Sequence, residues 1–255
     1  MTDAQQIPKR SVLIWEIVIV LALSLGRSGV NALINLVDLA SRGPISQGTA
    51  NLNGSESPRP WIDLSYQVSN LVFALAPVAL VLWLLARNPG GNPARLVGLD
   101  AKRPGGDAWR GVALFAVIGA GTLAIYTVGR ALGITTAIET SGLGEYWWSI
   151  PILLLAALKN GLLEEVVVVG YLVDRLERLG LRVWSIVALT AVLRGSYHLY
   201  QGIGPFIGNV LMGVIFTAVY LRYRRVMPLV IAHFLLDAVG FVGYPLLAQW
   251  FGYGG

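Results

Sequence analysis

The chain has 255 residues, of which 55% are hydrophobic and 13% charged, and it carries a formal net charge of +5. Soluble domains normally hold about 25% charged residues, so a water-facing globule is excluded. With cysteine absent, disulfides and thiolate metal sites are excluded as well.

The apolar residues fall in blocks near the roughly 20 residues that a helix needs to cross about 30 Å of hydrocarbon. Backbone groups in lipid must pair internally, and no alternating pattern suggests a barrel. The expected fold is therefore an all-α, polytopic transmembrane helical bundle of about seven to eight spans. Seven segments can be drawn: Val12–Leu36, Leu64–Leu85, Gly111–Leu132, Trp148–Leu172, Val183–Tyr200, Phe206–Leu221 and Met227–Leu247. The last is expected to break at Pro245. Met1 to Arg10 is followed by a long apolar stretch without an A-x-A site, so it reads as the start of a retained first helix. No internal repeat is evident. The chain reads as a single domain, with N-terminal helices over 1–146 and the chemistry-bearing helices over 147–247.

Loop charge gives an orientation. Lys9 and Arg10 precede the first segment, and Arg87, Arg95, Lys102, Arg103 and Arg110 join the second to the third. Arg175, Arg178 and Arg182 follow the fourth, and Arg222, Arg224 and Arg225 follow the sixth. The intervening loops hold only Arg42 and Arg59, both in the Gly-, Ser-, Asn- and Pro-rich stretch Ser41–Pro60. Every alternate loop agrees, which predicts a cytoplasmic N-terminus. The basic residues thus serve topology, and nucleic acid is not an expected partner. Trp147, Trp148, Trp184 and Trp250 lie near segment ends, where interfacial aromatics belong. The excess of Arg over Lys suggests GC-rich coding, and with it a bacterial inner membrane.

Ionisable side chains in a bilayer core cost on the order of 2.5–3.5 kcal/mol each on insertion scales. The fourth segment nevertheless contains Asn160, Glu164 and Glu165. The fifth contains Arg194 and His198, and the seventh His233 and Asp237. Both histidines of the chain are among them. Arg194 and His198 are four apart, as are His233 and Asp237, a spacing that puts each pair on one helical face. Glu164 and Glu165 point about 100° apart. One is expected to face a cavity while the other pairs with a cation on a neighbouring helix. Asn160, Gln201, Asn209 and Ser196 read as helix-to-helix hydrogen bonding. Glu16 and Arg27 in the first segment read as an internal ion pair or as snorkelling ends.

Several protease classes are excluded directly. There is no H-E-x-x-H and no G-x-S-x-G. Ser196 stands roughly 200° around the helix from His198, poor geometry for a dyad. The paired motifs of aspartyl membrane proteases are missing. Left over is Glu164-Glu165, then Arg194-Gly195-Ser196-Tyr197-His198, then His233-Phe234-Leu235-Leu236-Asp237.

These motifs resemble those of the type II CAAX prenyl endopeptidases, the glutamate intramembrane proteases also called CPBP or ABI proteins. That family carries E-E-x-x-x-R, F-x-x-x-H and H-x-x-x-N or H-x-x-x-D. The resemblance covers roughly Trp147 to Phe241. It implies a membrane endopeptidase in which Glu164 and His198 activate a water, while His233 and Asp237 stabilise or orient the oxyanion. An Asp donates only when protonated; otherwise it orients His233 as the donor. Glu165 and Arg194 would support them. The resemblance implies no cofactor and no required metal, and its substrate would be a membrane-associated protein or peptide. Two positions depart from the pattern: the family's Arg is Val169 and its Phe is Arg194. A positional swap would account for both, with the cation that balances Glu165 supplied by the fifth helix.

At 1.5 Å per residue, Glu164 falls about 12 Å from the Arg-rich end of its segment, His233 and Asp237 roughly 9 and 15 Å, and His198 near 22 Å. The first three suggest a cavity open toward the cytoplasm, and His198 is the outlier. Two other readings compete: a proton- or cation-coupled transporter using the carboxylates as a relay, and a catalytically silent scaffold or immunity-type membrane protein. A metal hydrolase using the Glu, His and Asp side chains has only residue type in its favour.

Overall fold

The computed structural model describes residues 10–87, 92–139, 144 and 146–243. Lys9, Pro245 and Trp250 lie outside them. The architecture is the expected all-α bundle. Helix α1 is Arg10–Arg42, α2 Pro60–Ala86 and α3 Pro104–Ala131. Helix α4 runs through Ser149–Glu164, Glu165–Tyr171 and Leu172–Arg178. Helix α5 is Val183–Ser196, α6 Ile203–Tyr223 and α7 Met227–Gly243. By length and composition α1, α2, α3 and α6 can each cross a membrane, and α5 and α7 are shorter apolar helices. Their outward faces carry large apolar side chains, among them Trp15, Leu23, Phe73, Trp83 and Val117, as lipid-facing helices do.

Helix α7 packs between α3 and α4, and α6 packs against α5 and α3. Small residues set the close crossings. A Cβ at Gly213 of α6 would lie 2.7 Å from Ala191 Cα of α5, so only glycine permits that approach. Thr190 and Thr217 bond across the same crossing at 2.9 Å. Gly213→Ala is expected to cost about 1–3 kcal/mol, read as a lower unfolding midpoint in detergent. An unchanged midpoint would mean that the two helices part without penalty.

The loops divide the bundle into two unlike ends. At the Arg-rich end, Arg225 holds Asp107 at 2.6 Å and Asp100 at 2.9 Å, and Arg224 grips both carboxylate oxygens of Glu177. Val226 N–H donates to Val97 O. Arg175 reaches Glu16 at 2.6 Å and Tyr171 donates to the same carboxylate. Glu16 is thus paired with α4 and not with Arg27, which is exposed; of the two readings the sequence offered, the internal pair does not form. A core of α1, α2, α4, α6 and α7 side chains, including Val81, Leu85, Val167, Phe216 and Leu229, fills this half.

The Asp100 carboxyl is held below its ordinary value of 3.8 by the Lys102 N–H first and then by Arg225. A depressed carboxylate contributes stability above its unfolded value and loses it as pH falls through the folded one. Asp100→Asn is therefore expected to lower the unfolding midpoint at pH 7 and to lower it less near pH 3. Equal effects at both pH values would remove the ionised contact from the account.

At the Arg-poor end, strand β1, Thr49–Asn51, pairs in parallel with β2, Ala137–Glu139. Thr136 donates its N–H and its hydroxyl to Gln201 O, each at 3.1 Å. Ile203 N–H donates to Ile134 O, and Arg130 reaches Ser46 O at 2.7 Å. Trp148 stacks with Tyr146 and meets Trp61 and Trp147 in the same region. Three loops are thereby stitched into one cap.

Candidate functional site

Glu164 ends the regular turns of the first part of α4, and the next seven residues, Glu165–Tyr171, widen into a π turn. The four successive valines Val166–Val169 lie in it, fully buried. β-branched runs are poor α-helix formers, and π turns gather at functional sites. Helix α4 continues to Arg178, beyond the Leu172 boundary drawn from hydropathy. Glu164 therefore sits near mid-helix, about 21 Å from Arg178 and about 22 Å from Ser149, and the depth mismatch with His198 largely closes.

The two carboxylates diverge as their spacing requires. Glu165 is fully buried. Its Oε1 binds Arg194 Nη2 at 2.7 Å and His233 Nδ1 at 2.7 Å, while Oε2 is buried without a partner. Arg194 is likewise fully buried, with its guanidinium carbon 5.3 Å from the centre of the Phe216 ring. The cation on α5 thus occupies the place expected for a swapped partner of Glu165. Glu164 accepts from Tyr197 Oη at 2.6 Å and lies 3.5 Å from Arg194 Nη1, both through Oε2. Its Oε1 has no hydrogen-bond partner among the described residues. Glu164 stands within electrostatic reach of His233 and of His198.

One expectation fails here. Arg194 and His198 do not form a stripe, because α5 stops at Ser196 and His198 begins a separate 3₁₀ turn, Leu199–Gln201. Arg194 points into the core, whereas His198 is half-buried and lines a cavity. Its Nε2 is buried without a partner and its Nδ1 lies 3.4 Å from Gln201 Nε2. Gln201 is itself tied to the cap through its carbonyl. His233 and Asp237 do share a face, with Nε2 3.8 Å from Oδ2, and both border the same cavity.

That cavity, about 600 Å³, runs between the middle and second half of α3, the first half of α6 and α7. Phe115, Leu123, Met212, Leu236 and Phe241 give it an apolar wall, and His198, Gln201, His233 and Asp237 supply its polar part. Leu52 and Ile138 of the Arg-poor loops also border it. Among the described residues none from the Arg-rich connections borders this cavity. The buried core occupies that half, and His198, the outlier in depth, marks the side on which the cavity lies.

Sequence reasoning passed over Tyr197 and Lys159. Lys159 approaches Asn160 Oδ1, and Asn160 Nδ2 donates to Asp237 Oδ2 at 2.7 Å. A lysine within an apolar segment was signal enough to find the first link of this chain; nothing in the spacing marked Tyr197. Asn160 does join two helices as expected, and its partner is a candidate site residue. Asn209 and Ser196 bond only within their own helices. Among the described residues no group of three or more His, Asp and Glu is placed to hold a metal ion.

An apolar helical bundle of this kind is an integral membrane protein, and it encloses a cluster of carboxylate, imidazole and guanidinium groups. Residues 146–239, which span α4 to α6 and most of α7, match the family described as type II CAAX prenyl endopeptidase Rce1-like. Over this stretch the chain resembles that family, as its motifs indicated, and the family is one of proteases. No curated protein and no solved structure matches the chain.

Proposed function

We propose that the protein is an intramembrane endopeptidase that hydrolyses a peptide bond of a membrane-associated protein or peptide with water activated by Glu164 and His198. The observation that carries this reading is the state of Glu164. One of its oxygens accepts from Tyr197 and faces Arg194 at 3.5 Å, the other has no hydrogen-bond partner among the described residues, and both imidazoles stand within electrostatic reach. A carboxylate oriented in this way can take a proton from water as that water attacks the carbonyl carbon. The C–O bond forms, the carbonyl oxygen becomes an oxyanion, and the proton passes to the amide nitrogen as the C–N bond breaks.

His233 is the candidate oxyanion donor. Its Nδ1 is engaged by Glu165, so its imidazolium form presents Nε2–H toward the cavity. Asp237 accepts from Asn160 through Oδ2, the same oxygen that faces His233 Nε2 at 3.8 Å, which supports the role of orienting His233. Arg194 balances Glu165 and Glu164 together, the support that the family's arginine would give from α4.

The transporter reading needs a polar path through both halves of the bundle, and the Arg-rich half is filled by apolar core. The test of the protease reading uses purified protein incubated with membrane fractions, new peptide termini being read by mass spectrometry. Termini that appear with the wild type and vanish with Glu164→Gln and His198→Ala support hydrolysis. If all three give the same termini, the reading is wrong; if the wild type generates none, a silent scaffold becomes the better account.

A further inference from the structure

We infer that Lys159 is a positioning residue of the site: its ammonium orients Asn160 and supplies a counter-charge for Asp237, and through them it sets His233 toward the cavity. The effect on hydrolysis rests on the function proposed above; the pairing of Lys159 with Asp237 does not.

Lys159 is the only charged residue between Ser149 and Glu164, and it lies about 15 Å along α4 from Ser149. An ammonium inside an apolar stretch is costly. A lysine that merely snorkels turns its charge to the membrane interface. This one is half-buried, donates to Asn160 Oδ1 and stands within electrostatic reach of Glu164 and Asp237.

Donor chemistry fixes the direction of the contacts that follow. An ammonium has three donors and no acceptor. Asn160 must therefore turn its Oδ1 toward Lys159, which leaves Nδ2 to face α7. There it donates to Asp237 Oδ2 at 2.7 Å. With the amide reversed, two oxygens would meet where α4 packs on α7. Asp237 Oδ2 lies in turn 3.8 Å from His233 Nε2, and His233 Nδ1 is engaged by Glu165. The ammonium thus acts on the imidazole through two intervening side chains.

Charge gives a second, separate argument. The cluster holds three carboxylates, Glu164, Glu165 and Asp237. Arg194 stands 3.5 Å from the first and 2.7 Å from the second, and His233 bonds the second as well. Asp237 meets that same His233 ring only at the longer 3.8 Å. Lys159 is a third cation, and it acts on Asp237 across the Asn160 amide. Three carboxylates are then matched by three cations when His233 is imidazolium. A neutral side chain at 159 leaves Asp237 to compete with Glu165 for one ring.

Unfolding midpoints in detergent are read for Lys159→Met, Asp237→Asn and the double variant. Methionine keeps an unbranched side chain and suits an apolar segment. Lys159→Met is expected to lower the midpoint of the wild type and to leave that of Asp237→Asn unchanged or raised. The same change in both backgrounds, or none in either, overturns the pairing, since a lipid-facing lysine would behave so. Should Lys159→Met fail to fold, a folded double variant supports the pairing and an unfolded one overturns it. The rate at which new termini appear from the membrane fractions is the second readout. Lys159→Met is expected to lower it by up to about 10²-fold, the cost of a slightly misplaced group. Lys159→Arg, which keeps the charge and the donors, is expected to retain most of the rate. A folded Lys159→Met at the wild-type rate overturns the positioning role, and so does an arginine variant no faster than the methionine one. Midpoints need no turnover. A wild type that yields no termini therefore sinks the protease reading while the pairing is still decided, and uncoupled midpoints beside active cleavage sink the pairing alone.

Discussion

Arg194→Ala is expected to be the most damaging single substitution in the protein, costing about 3–5 kcal/mol of stability and all measurable activity. The loss comes from what remains. Glu165 is fully buried and keeps only His233 as a partner once the 2.7 Å contact with Arg194 is gone. An uncompensated buried charge is far more costly than the net worth of the pair that preceded it. Two second-site changes separate this cause from loss of packing against Phe216. Arg194→Ala with Glu165→Gln removes both charges and is expected to recover most of the midpoint in detergent. Arg194→Ala with Val169→Arg returns the cation to α4, about one turn on from Glu165, where Oε2 lacks a partner. Recovery of folding by this second pair supports the positional swap; failure to recover, with the first pair recovering, refutes it.

Glu164→Gln is expected to reduce kcat/KM by about 10²- to 10⁴-fold, the range of a positioned general base, with little change in stability. Glutamine has nearly the same shape, and its oxygen can still accept from Tyr197 Oη. Thermal unfolding in detergent beside the cleavage rate makes the distinction. A variant that unfolds well below the wild type would assign Glu164 to structure, as a counter-ion of Arg194. A variant with unchanged turnover would remove it from the chemistry altogether. Tyr197→Phe serves as the intermediate case: it frees Oε2 without touching charge, so a rate lowered less than in Glu164→Gln is expected.

Much of this arrangement was legible in the amino-acid order. Each drawn apolar segment corresponds to a helix, because the length demanded by hydrocarbon and the need for internal backbone bonding leave few alternatives. The divergence of Glu164 and Glu165 followed from the helical angle, and the Arg194–Glu165 pair from the two departures in the motifs. What escaped reading depends on where helices end and what lies across from them. Hydropathy cannot see that α5 stops at Ser196, since Tyr197, Leu199 and Tyr200 are as apolar as the helix before them; the stripe drawn through His198 failed for this reason. The same blindness cut α4 at Leu172, because Asp174, Arg175 and Arg178 look like a loop while they continue the helix in contact with Glu16 and with one another. Glu16 found its cation on a helix distant in sequence, and no local spacing reports such a partner. Depth estimates taken from those mistaken ends made His198 the outlier.

The central claim is that Glu164 and His198 act on one water within a shared pocket, and a double-mutant cycle on kcat/KM tests it most directly. Residues that serve one step together are strongly non-additive. The account predicts that Glu164→Gln with His198→Ala is no slower than the worse of the two single variants. Losses that multiply, each substitution taking its full toll in the presence of the other, would contradict it.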